Sequence, residues 1–270
     1  NDKITEKNPD GFFHVEIDKA PESSVPVIGG GGFLHWDPDR WIREGKGQKG
    51  WGGPDIVFTE LQRRRLAGIS HSKSAFFELD PSDIENDLKL PARNLRIAFR
   101  DVTHRTNSRT VIPALLPGNL CLTNDAPYLL FRAGGAADES YLLGILSSTI
   151  LDWYARKFVE GHVSIFIFNK FPIPNPNSDN DCFLRLIEIA GRLAAIDDRY
   201  SKWAKEVGVP VGSVKSQTEK EDLIAELDAV VAHLYGLDTY NLEAIWDTFH
   251  TTVDHLPNLD VVLDHFERWA

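Results

Sequence analysis

Two periods of hydrophobic residues divide this chain. From Gly11 to about Pro174 the apolar residues come in short runs, FFHVEI, DIVF, LRIAF, TVIPALL, NLCL, YLLF and SIFIF, separated by Gly, Pro, Asn and Asp. Runs of that length and punctuation predict strands joined by turns. One segment interrupts them: SYLLGILSSTILDWYARKF places Leu142, Ile145, Leu146, Ile150, Trp153 and Tyr154 at helical spacing, with Asp138 or Ser140 available as its cap. After FPIPNPNSDND the period becomes helical and stays so. CFLRLIEIAGRLAAIDDRYSKWAKEV and EKEDLIAELDAVVAHLYGL each carry apolar residues on one face and charges on the other. They predict an antiparallel pair, joined by GVPVGSVKSQT with two helix-ending glycines. LEAIWDTF and NLDVVLDHFERW predict two shorter helices. The expected architecture is α+β: a mixed, β-rich domain with one packed helix over residues 1–174, then a helical subdomain over residues 175–270.

Composition changes this picture mainly through charge. A chain of 270 residues, 42% of them hydrophobic, can bury a substantial core. No apolar run approaches the ~20 residues that cross a bilayer. The opening NDKITEKNPDG has neither the basic nor the apolar portion of a secretory signal. The expectation is a cytoplasmic protein without a membrane partner. Residue 1 is Asn and the chain holds no methionine, which fits a chain beginning inside a longer protein. Cys121 and Cys182 have apolar neighbours and no ligand spacing, so they read as core residues rather than disulfide or zinc partners. A net charge of −11 argues against a non-specific nucleic-acid binder, which neutralises phosphates with Lys and Arg. The charge is unevenly placed, however: −5 over residues 1–39, +5 over 40–75, −4 over 76–90, +3 over 91–175 and −10 over 176–270. Such a split predicts a basic face and a separate acidic helical part.

The candidate catalytic features are weak. The run Gly29 to Gly32 lacks the Lys-Ser/Thr that completes a phosphate loop, and reads as a flexible turn. Asn8-Pro9-Asp10-Gly11-Phe12 misses the second proline of the Asn-Pro-Pro-aromatic motif of DNA amino-methyltransferases, with no glycine-rich cofactor loop before it. Nine histidines show no HxH or HExxH spacing, and the DPDR and DPSD carboxylates lie in Pro-containing turns. Asp55 and Glu60 do not form a nuclease cluster. No catalytic, cofactor-binding or metal-ligating residue is assigned.

The run LRIAFRDVTHRTNSRTVIPALLP is different in kind. It sets Arg96, Arg100, Arg105 and Arg109 in or beside a hydroxyl- and amide-rich turn between two apolar strands. Arg100, Arg105 and Arg109 suit phosphates or the hydrogen-bonding edge of guanine, Asn107 that of adenine, and Thr103, Thr106, Ser108 and Thr110 backbone oxygens or bases. The alternative is a solvated hairpin turn whose arginines pair with Asp101 and neighbours. Gln62-Arg63-Arg64-Arg65 lies on a predicted helix, TELQRRRLAG, where a solvated charged face is the default. WDPDRWIREGKGQKGW could stack on bases or pack its tryptophans under a loop, and the second is favoured.

LRIAFRDVTHRTNSRTVIPALLP, YLLGILSSTILDWYARKFVEGHVSIFIFNKFPIP and LIAELDAVVAHLYGLDTYNLEAIWDTF, in that order, resemble the carboxyl-terminal region of large adenine-N6 DNA methyltransferases. The relatives are the Eco57I-type bifunctional restriction-modification enzymes and the methyltransferases of BREX and DISARM phage defence, which carry a TaqI-like specificity domain. The resemblance covers residues 93–174 and 223–249. FLHWDPDRW is similar to a further family segment, but GGGG replaces the Tyr-Glu-Gly-Lys element before it. The family's catalytic half is missing from this chain. The resemblance therefore implies a target-recognition region for double-stranded DNA, working with a methyltransferase domain in cis that uses S-adenosylmethionine and flips the adenine. This chain itself holds no cofactor and is not expected to be catalytic; the parent could add endonuclease activity. On this reading Arg100, Arg105, Asn107 and Arg109 contact bases or phosphates, supported by Arg96, Thr103, Thr106, Arg156, His162 and Lys170. A protein-interaction or assembly module of a phage-defence complex is the alternative.

Overall fold

A computed structural model describes residues 24–54, 57–59, 61–63, 86, 90–131, 133–249 and 257–270. They fall into two compact units, one from the described residues up to 98 with 116–130, the other from 99–115 with 131–270. The strands are β1 (Val25–Ile28), β2 (Gln48–Gly52), β3 (Arg96–Phe99), β4 (Pro113–Leu116) and β5 (Cys121–Leu122). The helices are α1 (Arg40–Glu44), α2 (Ala136–Ser147), α3 (Thr149–Ala155), α4 (Ile165–Phe168), α5 (Asp181–Ala194), α6 (Ser201–Val207), α7 (Gln217–Leu234), α8 (Thr239–Asp247) and α9 (Leu259–Arg268). The architecture is α+β with a helical carboxyl part, as expected.

In the first unit β1 pairs antiparallel with β2 and parallel with β5, with an irregularity in register after Val27. Val25, Val27 and Cys121 point into a core shared with Val57, Phe58, Leu90 and Ala92. Cys121 is thus the core residue expected, and burial pushes its thiol up to about 11. Trp41 and Trp51 are buried edge to face at 5.7 Å, so the tryptophan-rich segment packs rather than displays its rings. The glycine run forms a 3₁₀ turn at Gly30–Gly32, tied by the Gly29 N–H to the Gly47 carbonyl at 2.7 Å. Gly47 has φ +74°, and a Cβ there would lie 2.0 Å from the Gly32 nitrogen. Close backbone approach therefore explains the glycines better than a flexible turn.

DIVF departs from the strand expected: residues 57–59 and 61–63 are helical. Pro54 stands at the first helical position, and Val57, Phe58 and Leu61 fall on one face against the core. YLLF contributes a single bridge, Ala98 with Tyr128. FFHVEI, the Asn8 to Phe12 turn, DPSD, Asp55, Glu60, Arg64 and Arg65 lie outside the described residues.

In the second unit α5 packs against both α2 and α7, and α9 against α7. Gly144 opens α2 to its neighbour: a Cβ there would meet Leu186 at 2.7 Å. The Ser140 hydroxyl donates to the Ile187 carbonyl at 2.7 Å. Arg185 pairs with Glu226, and Arg192 with Glu219, a spacing that sets α5 and α7 antiparallel. α2 buries Tyr141, Leu143, Ile145 and Leu146 around most of its circumference, so it needs cover on several sides. For that reason the units do not divide at residues 174 and 175, where the change of period had placed the boundary. The expected α5 to α6 helix is broken at a 3₁₀ turn, Asp198–Tyr200, where the Asp197 carboxylate accepts the Arg199 N–H at 3.0 Å. Gly208 ends α6 with φ +88°. Gly212 does not end a helix; its N–H instead donates to the Ala195 carbonyl at 2.7 Å. The YGL sequence closes α7 as a Schellman turn: Gly236 has φ +66°, and the N–H groups of Leu237 and Gly236 reach the carbonyls of Ala232 and His233.

SIFIF, read as a strand, is the single-turn helix α4. Ser164 caps it by accepting the Ile167 N–H at 3.4 Å, and Phe168 stacks on Phe99 with centroids 4.3 Å apart. Local capping and one aromatic anchor outweigh β propensity there.

Candidate nucleic-acid interface

The arginine-rich loop lies in the second unit and rises from a backbone bond between Arg100 N–H and the Ile112 carbonyl, 3.1 Å. Its first arm pairs with the segment after α3. Thr103 N–H donates to the Gly161 carbonyl at 3.1 Å, Val163 N–H donates to Asp101 at 2.8 Å, and Val102 bridges His162. This places His162 beside the loop, where its Nδ1 lies 3.2 Å from the Asp101 carboxylate.

Asp152 of α3 and Arg156, the residue that caps its carboxyl end, are four apart and so on one face, and they set the loop's shape. The Asp152 carboxylate is buried and accepts the N–H groups of Thr110 and Val111 at 2.8 and 2.7 Å. Its second oxygen accepts from Arg156 Nε at 2.9 Å. The rest of that guanidinium donates to the carbonyls of Arg105, Asn107 and Ser108 at 2.5, 2.8 and 2.9 Å. It also lies 4.7 Å from the Phe249 ring centroid. Arg156 is thus a clamp under the loop, its donors directed at backbone rather than solvent.

The break between α2 and α3 serves the same loop. Ser148 has extended backbone and caps α3 by accepting the Leu151 N–H at 3.1 Å. A helix break leaves carbonyls and N–H groups without intrahelical partners. Arg109 takes the carbonyls of Ser147 and Ser148 at 2.8 and 3.0 Å. Asp228, from α7, takes the Thr149 N–H and hydroxyl at 2.7 and 2.6 Å. Burial raises the Asp228 carboxyl to about 6, against the lowering effect of the two Thr149 bonds and the Arg109 charge.

The ten residues singled out from the sequence therefore separate into two groups. Arg96 lies in the first unit, buried, donating to the carbonyls of Pro91 and Asn94 at 2.9 and 3.1 Å and to that of Leu120, with Tyr128 beside it. It faces backbone, not solvent, which corrects its reading as a phosphate contact. The reason is that β3 carries it inward, where it is the donor for three carbonyls. Thr103 is buried and accepts from Asn107 Nδ2 at 3.2 Å. Arg109 and Arg156 are committed to carbonyls. Arg105, Thr106 and His162 are exposed, as is Lys170, whose ammonium lies 3.8 Å from the Phe166 ring. Arg100 is half-buried, its Nε on the Val102 carbonyl at 2.7 Å. Among the described residues the Arg105 side chain makes no hydrogen bond or ion pair. The Thr106 hydroxyl meets His104 Nδ1 at 2.7 Å.

Asp152 and Asp228 went unremarked in the sequence. The signal was present: each is a carboxylate on an apolar stretch of helix, in TILDWYA and IAELDAVVA. A buried acid needs donors, and both found backbone N–H groups.

No family profile and no curated protein matches the chain. A solved structure does. The Type IIL restriction-modification enzyme MmeI, in complex with DNA, aligns over 91% of this chain at 14% identity and a TM-score of 0.44. The chain spans 34% of that enzyme. Among the described residues no helix is long and apolar enough to cross a membrane, and no group of three or more His, Cys, Asp or Glu is placed to hold a metal ion.

Proposed function

We propose that this chain recognises double-stranded DNA in a sequence-specific way, as the target-recognition part of an adenine-N6 DNA methyltransferase or restriction-modification enzyme. The observation that carries the reading is the loop itself: Asp152 and Arg156 fix its backbone from below, while Arg105, Thr106 and Ser108 stay exposed above. A loop held rigid with its donors outward matches base and phosphate recognition, because little side-chain order remains to be imposed on binding. A merely solvated turn needs no such scaffold. Arg105 and Asn107 are the proposed base readers, with Arg100, Thr106, His162 and Lys170 on phosphates. Arg96, Thr103, Arg109 and Arg156 hold the structure. The motifs quoted from the sequence support the adenine-N6 assignment, with catalysis and S-adenosylmethionine supplied by a methyltransferase domain in cis. The acidic helices, net −10 over residues 176–270, would repel phosphate, and on this reading they pack on the methyltransferase domain or a partner rather than touch DNA.

The test is an electrophoretic shift with a pool of random duplexes. Arg100→Ala/Arg105→Ala should weaken retention roughly tenfold or more, since a base or phosphate contact contributes about 1–3 kcal/mol. Unchanged retention by that variant would remove the loop from the interface.

A further inference from the structure

Beside the arginine-rich loop the second unit displays a group of largely exposed apolar side chains, of which Phe158 meets the Tyr154 ring at 5.1 Å. Ile165 and Phe166 are 65% and 69% exposed, and Phe158 and Val102 are 55% and 47% exposed. They belong to adjacent backbone: Val102 bridges His162, and Ile165 and Phe166 form the first turn after it. Scattered single apolar residues on a surface are ordinary, but a group on neighbouring segments marks a contact site.

The seat under this group is firm. Phe168 stacks on Phe99, Ser164 caps the turn, and Phe168 N–H donates to the Ser164 carbonyl at 2.9 Å. Phe166 therefore projects from a braced single turn, with Lys170 over its ring at 3.8 Å. Lys170 is the cation against its ring, while Arg100 and Arg105 stand on the neighbouring loop and Lys157, over the Trp153 ring, on the segment before it. The acids on the same segments are Asp101, which faces His162, and Glu160. An apolar tip with a lysine at its ring, on segments that carry arginines and a further lysine, complements a polyanion with an apolar interior, which is a stacked duplex.

We infer that Ile165 and Phe166 form a wedge that enters between two base pairs of bound duplex DNA and partly unstacks them, while Arg105 and Lys170 hold the flanking phosphates. Apolar side chains presented by basic proteins open base steps in this way, and the kinked duplex covers more protein surface. The inference rests on the DNA-binding reading above and adds to it a distortion of the duplex at a fixed distance from the loop's own contacts.

The experiment uses the full 270-residue chain and a random 30-base-pair duplex pool, with retained duplexes probed by permanganate, which oxidises unstacked thymines. Wild type should retain duplex and make a thymine at the opened step at least about tenfold more reactive than in free duplex. Ile165→Ala/Phe166→Ala should keep retention within about tenfold yet return that thymine to its free-duplex reactivity, and Phe166→Trp should preserve the signal. Because these side chains are exposed, the variants keep the fold, which circular dichroism checks. Retention by wild type without reactive thymines, or equal reactivity with the double variant, overturns the wedge alone. Failure of wild type to retain any duplex overturns both wedge and DNA reading. If sedimentation shows wild type self-associating and the double variant monomeric, the patch is an interface between copies and the wedge is overturned.

Discussion

Removing the Arg156 clamp should release the arginine-rich loop without touching its exposed side chains. Arg156→Ala deletes one ion pair with a buried carboxylate and three bonds to loop carbonyls. The pair is shielded, with side chains 11% and 3% exposed, so this is the regime where removing one partner costs about 3–5 kcal/mol. The carbonyls of Arg105 and Ser108 belong to exposed residues and rehydrate, which holds the total near the lower end, about 3 kcal/mol. Arg156→Lys keeps the charge but cannot span Asp152 and three carbonyls at once, and should lose about half of that. Hydrogen exchange reads the local effect. The N–H groups of Thr110 and Val111, bonded to Asp152, should exchange on the order of a hundredfold faster in Arg156→Ala, while α7 amides change little. Duplex retention should fall in parallel, although Arg156 faces the loop's backbone. If Thr110 and Val111 keep their protection and denaturation midpoints do not move, the clamp is not what holds the loop and the reasoning fails.

Other outcomes follow from the same geometry. Arg105→Ala should leave stability within about 0.5 kcal/mol of wild type, since the side chain is exposed, while weakening duplex binding; thermal denaturation alongside binding separates the two. Asp228 is a carboxyl raised from its ordinary range to about 6 in the folded chain, so the folded state holds the proton more tightly than the unfolded one. Its contribution is fully present below about pH 4 and is lost as pH rises through 6, a span of roughly 3 kcal/mol at most. Asp228→Asn, whose Oδ1 can still accept the Thr149 N–H while its Nδ2 donates to the Thr149 hydroxyl, should flatten that part of the stability profile; an identical pH slope in both proteins would exclude it. Gly47→Ala forces a left-handed φ and a clash with the Gly32 amide, and should destabilise the first unit by about 2–4 kcal/mol in chemical denaturation.

Hydrophobic period found the elements that carry a strong one. α5, α7, α8 and α9 follow their amphipathic faces, and β3, β4 and β5 fall within LRIAF, TVIPALL and NLCL. Short apolar runs were ambiguous, as expected where length cannot separate a strand from a helical turn. DIVF and SIFIF resolved as helical because a proline or a serine stands at the helix start and one face meets a core aromatic or aliphatic. β1 and β2 were missed, the latter because QKGWG has almost no alternation and takes its register from β1. At the candidate site, the letters alone could not divide the arginines of the loop. Four arginines in one stretch look equivalent as letters. Arg96 is buried on the carbonyls of Pro91 and Asn94, Arg109 reaches the carbonyls freed by the helix break at Ser147 and Ser148, and Arg105 is exposed, distinctions that depend on contacts distant in sequence.

The most direct test of the account is selection of duplexes from a random pool by wild type and by Arg105→Ala, with both enriched populations sequenced. Sequence-specific recognition by the loop predicts a defined motif for wild type and the same motif with one base position relaxed for Arg105→Ala. No enriched motif, or an identical motif from both proteins, would contradict it.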